Sequence, residues 1–313
     1  MKSVDKPVLI AFGFILVLLV AGSLYSSNFL SATYLLQQLQ VASFLGIIAS
    51  GVMLVILLGH IDLSIPWVVT VGGMMSTAAA GWWGETGVAL AIPFAMLCGL
   101  VFGCINGLGV AFLRIPSMIF TLGMNAVAQG LMVLHTGGFA PQDHATDFMH
   151  WLATAHMLHI PNALFVWLVV GLIVVFILTR TPLGRYIYAI GNREGATYLS
   201  GVNTRAVLIT CFAISGACSA LAGVLLAGYS TKAYQAMGDP YLLPAIAAVV
   251  LGGTNILGGR GSYLGTVAGV ILISLLQSIL SVMQMPEAGR QVIYGVVIVV
   301  MLLVYGRGER VQG

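Results

Sequence analysis

Long apolar runs are the feature that most restricts how this chain can fold. About ten stretches approach the roughly 20 apolar residues that a helix needs to cross the hydrocarbon core of a bilayer. The composition agrees, because 59% of the 313 residues are hydrophobic and only 7% are charged, unlike an ordinary soluble domain. We therefore predict an all-α integral membrane protein with about ten transmembrane helices, folded as one domain over residues 1–313. The predicted spans are Val8–Tyr25, Leu39–Gly59, Leu63–Trp82, Gly87–Phe112, Pro116–His135, Ala163–Thr179, Ala206–Tyr229, Tyr241–Leu257, Ser262–Met283 and Gln291–Tyr305.

The basic residues predict how these helices are oriented. Cytoplasmic loops of membrane proteins are enriched in lysine and arginine. With the N-terminus inside and an even number of spans, only Lys232 and Arg290 fall on the outer side. We therefore predict that both termini are cytoplasmic. The basic residues predicted on the cytoplasmic side are Lys2, Lys6, Arg114, Arg180, Arg185, Arg193, Arg205, Arg260, Arg307 and Arg310. The acidic residues predicted on the outer side are Glu85, Asp143, Asp147, Asp239 and Glu287.

The segment of residues 180–205 is the longest polar stretch that can form a helix. Its excess of arginine over acidic residues predicts a cytoplasmic position. A surface helix there indicates a docking site for a partner. Its charged residues are Arg180, Arg185, Arg193, Arg205 and Glu194.

The longest outer connection, residues 136–162, is rich in histidine, and its composition raises the hypothesis of a metal site. We prefer an amphipathic helix over DFMHWLATAHMLHIP at the membrane interface, with Trp151 and the methionines toward lipid and the histidines toward water. The four cysteines lie in apolar runs without metal-ligand spacing, which predicts free thiols and no metal site. The residues that raise the metal hypothesis are His144, His150, His156, His159, Asp143 and Asp147.

The stretch LGHIDLSIP at residues 58–66 interrupts the apolar sequence with polar residues and ends at Pro66, which breaks a helix. A break at membrane depth requires protein or water to cover the freed backbone groups. Asp62 therefore has two interpretations. It is either a cap at the start of the next helix or a residue that lines a transport pathway.

The other polar side chains within the spans are neutral. Neutral groups along a water-filled path suit an uncharged polyhydroxylated solute better than an ion, although each could instead bond a neighbouring helix. The pathway candidates are Asp62, Ser64, Asn106, Asn125 and Gln129, and the further neutral positions are Ser215, Ser219, Ser274, Gln277 and Ser278.

Two groups of glycines are spaced four residues apart, as on one face of a helix. Small residues at this spacing allow close helix crossings. Packing within the chain is the preferred interpretation, and a dimer interface is the alternative. The two groups are Gly99, Gly103 and Gly107, and Gly261, Gly265 and Gly269.

The sequence contains no GxxxxGK[ST] phosphate-binding loop, and its only lysines are Lys2, Lys6 and Lys232. The chain therefore cannot supply P-loop ATP hydrolysis itself. Its net charge of +3 comes from basic residues scattered at span ends, which gives no reason to expect nucleic acid as a partner.

Four motifs resemble the membrane-spanning permease subunits of bacterial ABC sugar importers of the ribose and xylose type. LGHIDLSIP is similar to that family's G-G-I-D-L-S-V-G motif, and LGGTNILGGRGSYLGT to its G-G-T-S-x-x-G-G-x-G-S-x-x-G-T motif. NGLGVAFLRIPSMIFTLGM resembles the family's N-G-x-L-x-x-x-x-x-I-P-x-F-I-x-T-L-G segment, and LGRYIYAIGNREGATYLSGV resembles its cytoplasmic loop. Together the four motifs span residues 58–266, with unmatched stretches between them.

The resemblance implies a type II importer permease fold in the bacterial inner membrane, working by alternating access. It implies a second permease subunit, two cytoplasmic ATPase subunits that hold ATP and Mg²⁺, and a periplasmic sugar-binding protein. The chain itself would bind no cofactor and catalyse no reaction. The residues that would couple it to the ATPase are Gly184, Arg185, Ala189, Gly191, Asn192, Arg193, Glu194, Ala196, Leu199 and Gly201.

The sequence departs from the family pattern at His60 and Pro66, which replace glycines, and at Ser117 and Met118, which replace Pro-Phe. The coupling loop reads Gly-Asn where the family often has Gly-Gly-Asn. These changes leave open which solute is carried and whether the dimer is homomeric or heteromeric. The alternatives are a branched-chain amino acid permease, a secondary carrier that uses Asp62 for coupling, and a structural scaffold, which would have little reason to keep the polar break.

Overall fold

α-Helices make up most of the described chain. The computed structural model describes residues 6–25, 27–286, 288–296 and 299. The predicted all-α class is confirmed, since the strands in this part of the chain form a single short hairpin. The helices are α1 (Lys6–Tyr25), α2 (Ala32–Leu57), α3 (Ile65–Leu113), α4 (Ser117–His135), α5 (Asp147–Thr154), α6 (Asn162–Arg180), α7 (Pro182–Leu199), α8 (Thr204–Tyr229), α9 (Leu242–Leu251) and α10 (Tyr263–Val282). Short 3₁₀ helices cover Ser27–Leu30 and Asp239–Tyr241.

Most predicted spans correspond to helices, with two differences of length. Six of the described helices are long and apolar enough to cross a membrane. The third and fourth predicted spans form one 49-residue helix, α3, which changes direction at Gly84, where φ is 55°. At this length, about 70 Å, α3 is long enough to cross twice. Helix α9 has only 10 residues, because Gly253 adopts a φ of 88° just beyond its end.

Part of the last predicted span falls outside the described residues. Residues 288–296 are helical, which agrees with the start of that span. Residues 300–305 complete the predicted span and are not among those described. The charged residues Lys2, Glu287, Arg307 and Arg310 also lie outside the described residues.

Helices α2 and α8 lie at the centre of the fold. Residues 42–57 of α2 are all buried. Glycine allows the central backbones to touch, because a methyl group at Gly51 or Gly72 would overlap backbone atoms of α8. Small residues provide this close approach in membranes, where lipid removes the usual hydrophobic drive for helix association.

The first glycine group, Gly99, Gly103 and Gly107, faces the same central helix. A methyl group at any of the three would overlap the backbone of α8. The stripe is therefore used for packing within the chain, which leaves no room at these positions for a second copy.

The second glycine group does not share one helix face, and this prediction is wrong for Gly261. That residue precedes α10, whose start is capped by Ser262 accepting a hydrogen bond from the Gly265 nitrogen at 3.2 Å. Gly265 and Gly269 lie in α10 against the end of α9, whereas Gly261 packs against Thr254 in the preceding loop. The cap ends the helical spacing before it reaches Gly261.

The histidine-rich connection contains a shorter helix than the sequence predicts. Helix α5 ends at Thr154 and is followed by a hairpin of β1 (His156–Met157) and β2 (Ile160–Pro161). The prediction that its methionines face lipid is wrong for Met149, which is fully buried against Gly228 at the end of α8. Phe148 and Trp151 are exposed and stacked.

The four histidines of this connection are exposed, as predicted, and His150 Nδ1 also donates to the Gly228 carbonyl oxygen at 2.9 Å. Among the described residues, no group of three or more histidine, cysteine, aspartate or glutamate side chains could hold a metal ion. The four cysteines are free thiols.

The two ends of the bundle differ in charge. We call one the arginine end, and it holds Arg114, the α6–α7 junction, Arg205 and the loop of residues 252–261. We call the other the histidine end. It holds α5 and the end of α4, and an isolated β-bridge joins His144 to Lys232 there.

Candidate functional site

Within the polar break predicted at residues 58–66, a turn at residues 58–59 is followed by a non-helical segment, residues 60–64, that runs alongside α4. The backbone nitrogen of Ile61 donates to Ser117 Oγ at 3.2 Å, and that of Leu63 donates to Thr121 Oγ1 at 2.8 Å. One turn further along the same face of α4, Asn125 Oδ1 accepts from the Trp67 nitrogen at 3.4 Å. Helix α4 thus supplies the acceptors that an unwound segment needs at membrane depth.

Three of the pathway candidates form a closed cluster at the start of α3. Asp62 Oδ1 accepts hydrogen bonds from the Ser64 nitrogen at 2.9 Å and from Ser64 Oγ at 2.6 Å. Asn106 Nδ2 donates to the same Ser64 hydroxyl at 2.7 Å. Asp62 is 4% exposed and the other two are fully buried. Asp62 thus bonds Ser64, the residue just before α3, in a local turn, and Ser64 itself makes no side-chain cap to the helix. This conformation gives the three residues no contact with an open path.

The other two candidates lie on α4. Asn125 is half-buried and holds the first turn of α3, as described above. Gln129 lies one turn further along the helix and is exposed. The five candidates are therefore not one constellation, because three are enclosed and only Gln129 is fully open.

Helix α9 also begins inside the fold. Gly238, just before it, packs against the Pro66 carbonyl, and the Gly238 nitrogen donates to Thr70 Oγ1 at 3.3 Å. The loop after α9 returns to the arginine end, where the Gly259 nitrogen donates to the Leu57 carbonyl at 2.9 Å. Helices α3 and α9 therefore start side by side and run to opposite ends. Half-helices that start at mid-depth mark the substrate region of many transporters.

A polar cavity of about 480 Å³ lies beside the start of α9, between the first half of α2 and the second half of α10. Its volume is within the range of small-molecule sites, about 300–1,000 Å³. The Tyr34 and Ser278 hydroxyls form a hydrogen bond across it. The polar lining residues are Tyr34, Gln37, Gln38, Tyr241, Ser274, Gln277, Ser278, Ser281, Arg290 and Tyr294.

The sequence analysis found part of this lining and missed the rest. Ser274, Gln277 and Ser278 were among the neutral polar positions, whereas Gln37 and Gln38 lie just before the predicted start of the second span. The run QQLQ at residues 37–40 was the available signal, since glutamines are uncommon in a helix that faces lipid.

The cytoplasmic segment predicted for coupling is helix α7, bent at Arg193, where φ is −159° and ψ is 97°. Before the bend the helix is fixed to the bundle. A methyl group at Gly191 would overlap the Leu57 carbonyl and the Gly259 nitrogen. Asn192 Nδ2 donates to the Gly259 carbonyl at 3.4 Å. The end of α2 and the loop after α9 thus both meet α7.

Gly184 and Gly191, two members of the predicted coupling set, pack inside this chain. Gly184 is buried against the last turn of α6, and Gly191 lies against Leu57 and Gly259. Both are packing positions, because close backbone neighbours occupy the space that a partner would need.

The rest of the predicted coupling set is on the surface. Leu199 is 86% exposed and Tyr198, which the sequence analysis did not name, is 64% exposed. Apolar side chains exposed beside charged ones are typical of a protein–protein contact. The exposed members of the set are Arg185, Ala189, Asn192, Arg193, Glu194, Ala196, Leu199 and Gly201.

A second cleft, of about 510 Å³, links this surface to the first break. It lies between His60, Arg114, Glu194 and Arg205 at the arginine end. Burial lowers the pKa of His60, and the negative charge of Glu194 opposes that shift. The bent part of α7 is thus electrostatically coupled to the start of the unwound segment.

Comparison with known proteins identifies the family. The sequence profile of the family described as "branched-chain amino acid transport system / permease component" matches residues 34–302. The chain belongs to this permease family. No solved structure matches the chain.

Relatives of this permease carry sugar-import names. The chain is 33% identical over 293 residues to the ribose import permease protein RbsC of Haemophilus influenzae, covering 92% of this chain and 90% of the relative. It is 31% identical over 288 residues to the D-allose transport system permease protein AlsC of Escherichia coli, covering 91% and 88%. It is 34% identical over 272 residues to the autoinducer 2 import system permease protein LsrC of Yersinia pestis, covering 85% and 75%. The resemblance read from the four motifs is confirmed.

Proposed function

We propose that this permease is the translocating subunit of an ATP-driven importer for a monosaccharide or a related polyol, working by alternating access. The polar cavity beside the start of α9 carries the proposal. Apart from Arg290, the polar groups of its lining are amides and hydroxyls, which can exchange hydrogen bonds with the hydroxyls of a neutral sugar. The ribose and allose permeases among its relatives favour the same class of solute over amino acids.

A second permease subunit completes the pathway in this proposal, as a homodimer or a heterodimer. Helix α4 supports it, because one side of this helix is open. Gly123 and Gly130 have no neighbour within 4 Å of an added methyl group, and Gln129 is exposed on the same helix. Small and polar residues are favoured where membrane helices meet one another, and an exposed amide is disfavoured against lipid.

The partners divide between the two ends of the bundle. The surface of α7 beyond Arg193 would dock a cytoplasmic ABC ATPase, which would bind ATP and Mg²⁺ and drive the motion. In this proposal the arginine end lies in the cytoplasm, as the positive-inside rule favours, the membrane is the bacterial inner membrane, and both termini are cytoplasmic. A periplasmic sugar-binding protein would deliver the solute at the histidine end.

Reconstitution with the ATPase and the binding protein tests the proposal. We expect D-ribose or D-allose uptake into proteoliposomes that requires ATP and the ATPase, and that excess L-leucine does not inhibit. Leucine uptake instead would indicate an amino acid permease. Uptake that a protonophore abolishes at constant ATP would indicate a secondary carrier, a role that the enclosed Asp62 carboxylate does not support.

A further inference from the structure

Asp239 lies near the middle of the membrane-spanning bundle, although the sequence analysis assigned it to the outer side. It begins the one-turn helix that leads into α9. The 10 residues of α9 separate it from the loop at the arginine end, a rise of about 15 Å. The hydrocarbon core is about 30 Å thick, so half of it remains on the other side.

The rise along α4 gives a second estimate of the depth of Asp239, and the two estimates agree. Asn125 lies eight residues beyond Ser117, the first residue of α4 at the arginine end, which is a rise of about 12 Å. Asn125 bonds the Trp67 nitrogen, and the neighbouring Pro66 carbonyl packs against Gly238. Asp239 follows directly.

The Asp239 side chain is exposed at this depth. Within the described part of the chain, no hydrogen bond or ion pair to its carboxylate is found. A charged side chain facing lipid at the centre of a bilayer is costly, and such residues face a water-filled cavity or a partner instead. The next two residues, Pro240 and Tyr241, line the polar cavity.

Asp239 and Asp62 occupy equivalent positions before their helices. Asp62 stands three residues before α3, as Asp239 stands three residues before α9. The carboxylate of Asp62 is taken up by Ser64, whereas Asp239 remains available.

We propose that Asp239 faces the translocation path and is a specificity-determining residue that accepts hydrogen bonds from hydroxyl groups of the solute. A carboxylate offers two acceptor oxygens and no donor when ionised. It therefore suits adjacent sugar hydroxyls and disfavours anionic solutes such as phosphorylated sugars. The inference rests on the proposed function, since it names the group that would recognise the sugar.

Cysteine accessibility is the first test. In the complete transporter, with the four native cysteines replaced by alanine, Asp239→Cys should react with a membrane-impermeant methanethiosulfonate reagent, and D-ribose or D-allose should slow the reaction. Asp147→Cys on the exposed first turn of α5 should react without protection by sugar. Leu172→Cys on the exposed face of α6 should not react. An unreactive Asp239→Cys, or one that reacts without sugar protection, overturns the proposal.

Transport kinetics form the second test. Asp239→Asn should raise the KM for D-ribose or D-allose about tenfold, because it weakens a charge-assisted hydrogen bond, with little change in ATP hydrolysis. Asp147→Asn is the matched control and should leave KM unchanged. An unchanged KM in Asp239→Asn contradicts the assignment.

The experiments distinguish a failure of the proposed function from a failure of the role given to Asp239. Wild-type uptake that depends on ATP, together with an unreactive Asp239→Cys, would remove this inference and keep the proposed function. A wild type that transports neither sugar, together with a reactive Asp239→Cys, would remove the proposed function.

Discussion

Helices α3 and α9 begin beside each other in the middle of the fold, yet their surroundings differ. At α3 the unwound segment is closed, because Ser117, Thr121 and Asn125 accept its backbone N–H groups and Ser64 bonds the Asp62 carboxylate. At α9 the carboxylate is exposed and a polar cavity lies alongside. A broken helix is therefore not in itself a transport site. A break can serve as a transport site only if the chain's own side chains do not already bond its polar groups.

Replacing each aspartate with alanine should break this comparison most clearly. Asp62→Ala leaves the Ser64 N–H and hydroxyl without an acceptor in a buried site, and we expect it to lower the free energy of unfolding by about 3 kcal/mol. Asp239→Ala should change stability by less than about 0.5 kcal/mol, as exposed substitutions usually do. The melting temperatures of the purified proteins measure both. Equal losses of stability in the two variants would show that the aspartates before α3 and α9 are bonded to a similar extent.

The contact of α7 with the end of α2 and with the loop after α9 can be tested at Gly191. Gly191→Ala would force a methyl group into the Leu57 carbonyl and the Gly259 nitrogen, and overpacking of this kind costs about 1–3 kcal/mol. We expect fewer sugar molecules transported per ATP hydrolysed. Gly195→Ala, with no neighbour within 4 Å, is the control. A normal ratio in Gly191→Ala would mean that the two breaks move independently of α7.

The smallest expected effect concerns one acceptor in the closed break. Thr121→Val removes the hydroxyl that accepts from the Leu63 nitrogen, and we expect a loss of about 1 kcal/mol. Thr179→Val is matched, since that hydroxyl is exposed and bonds only its own helix at Val175. Thermal unfolding of the two variants should differ, and identical melting temperatures would contradict the role given to α4.

The sequence was sufficient to predict the all-α class and most helix positions, because apolar length alone reports which segments can cross a bilayer. The sequence was also sufficient to identify the family, because four motifs resemble those of its members. It could not distinguish a half-helix from a full span. The predicted span Tyr241–Leu257 has suitable composition, but the left-handed Gly253 stops the helix after 10 residues.

The same limit applies to Asp239, which the sequence analysis assigned to the outer side and which we infer to lie deeper. If a helix is assumed to begin at the membrane surface, the residue before it must be outside. Only tertiary contacts, such as that between Gly238 and Pro66, reveal that the chain has already entered the bundle. Gly191 shows a second limit of sequence-based prediction. It packs against Leu57 and Gly259, which are distant in the sequence, and such packing leaves no periodic signal.

The most direct test of the open second break is the environment of residue 239 in a lipid bilayer. A nitroxide attached at Asp239→Cys in nanodiscs, with the native cysteines removed, should be relaxed more strongly by the polar agent nickel-EDDA than by oxygen. A nitroxide at Leu172→Cys on the exposed face of α6 should show the reverse, since oxygen concentrates in lipid. The account is contradicted if position 239 behaves like position 172.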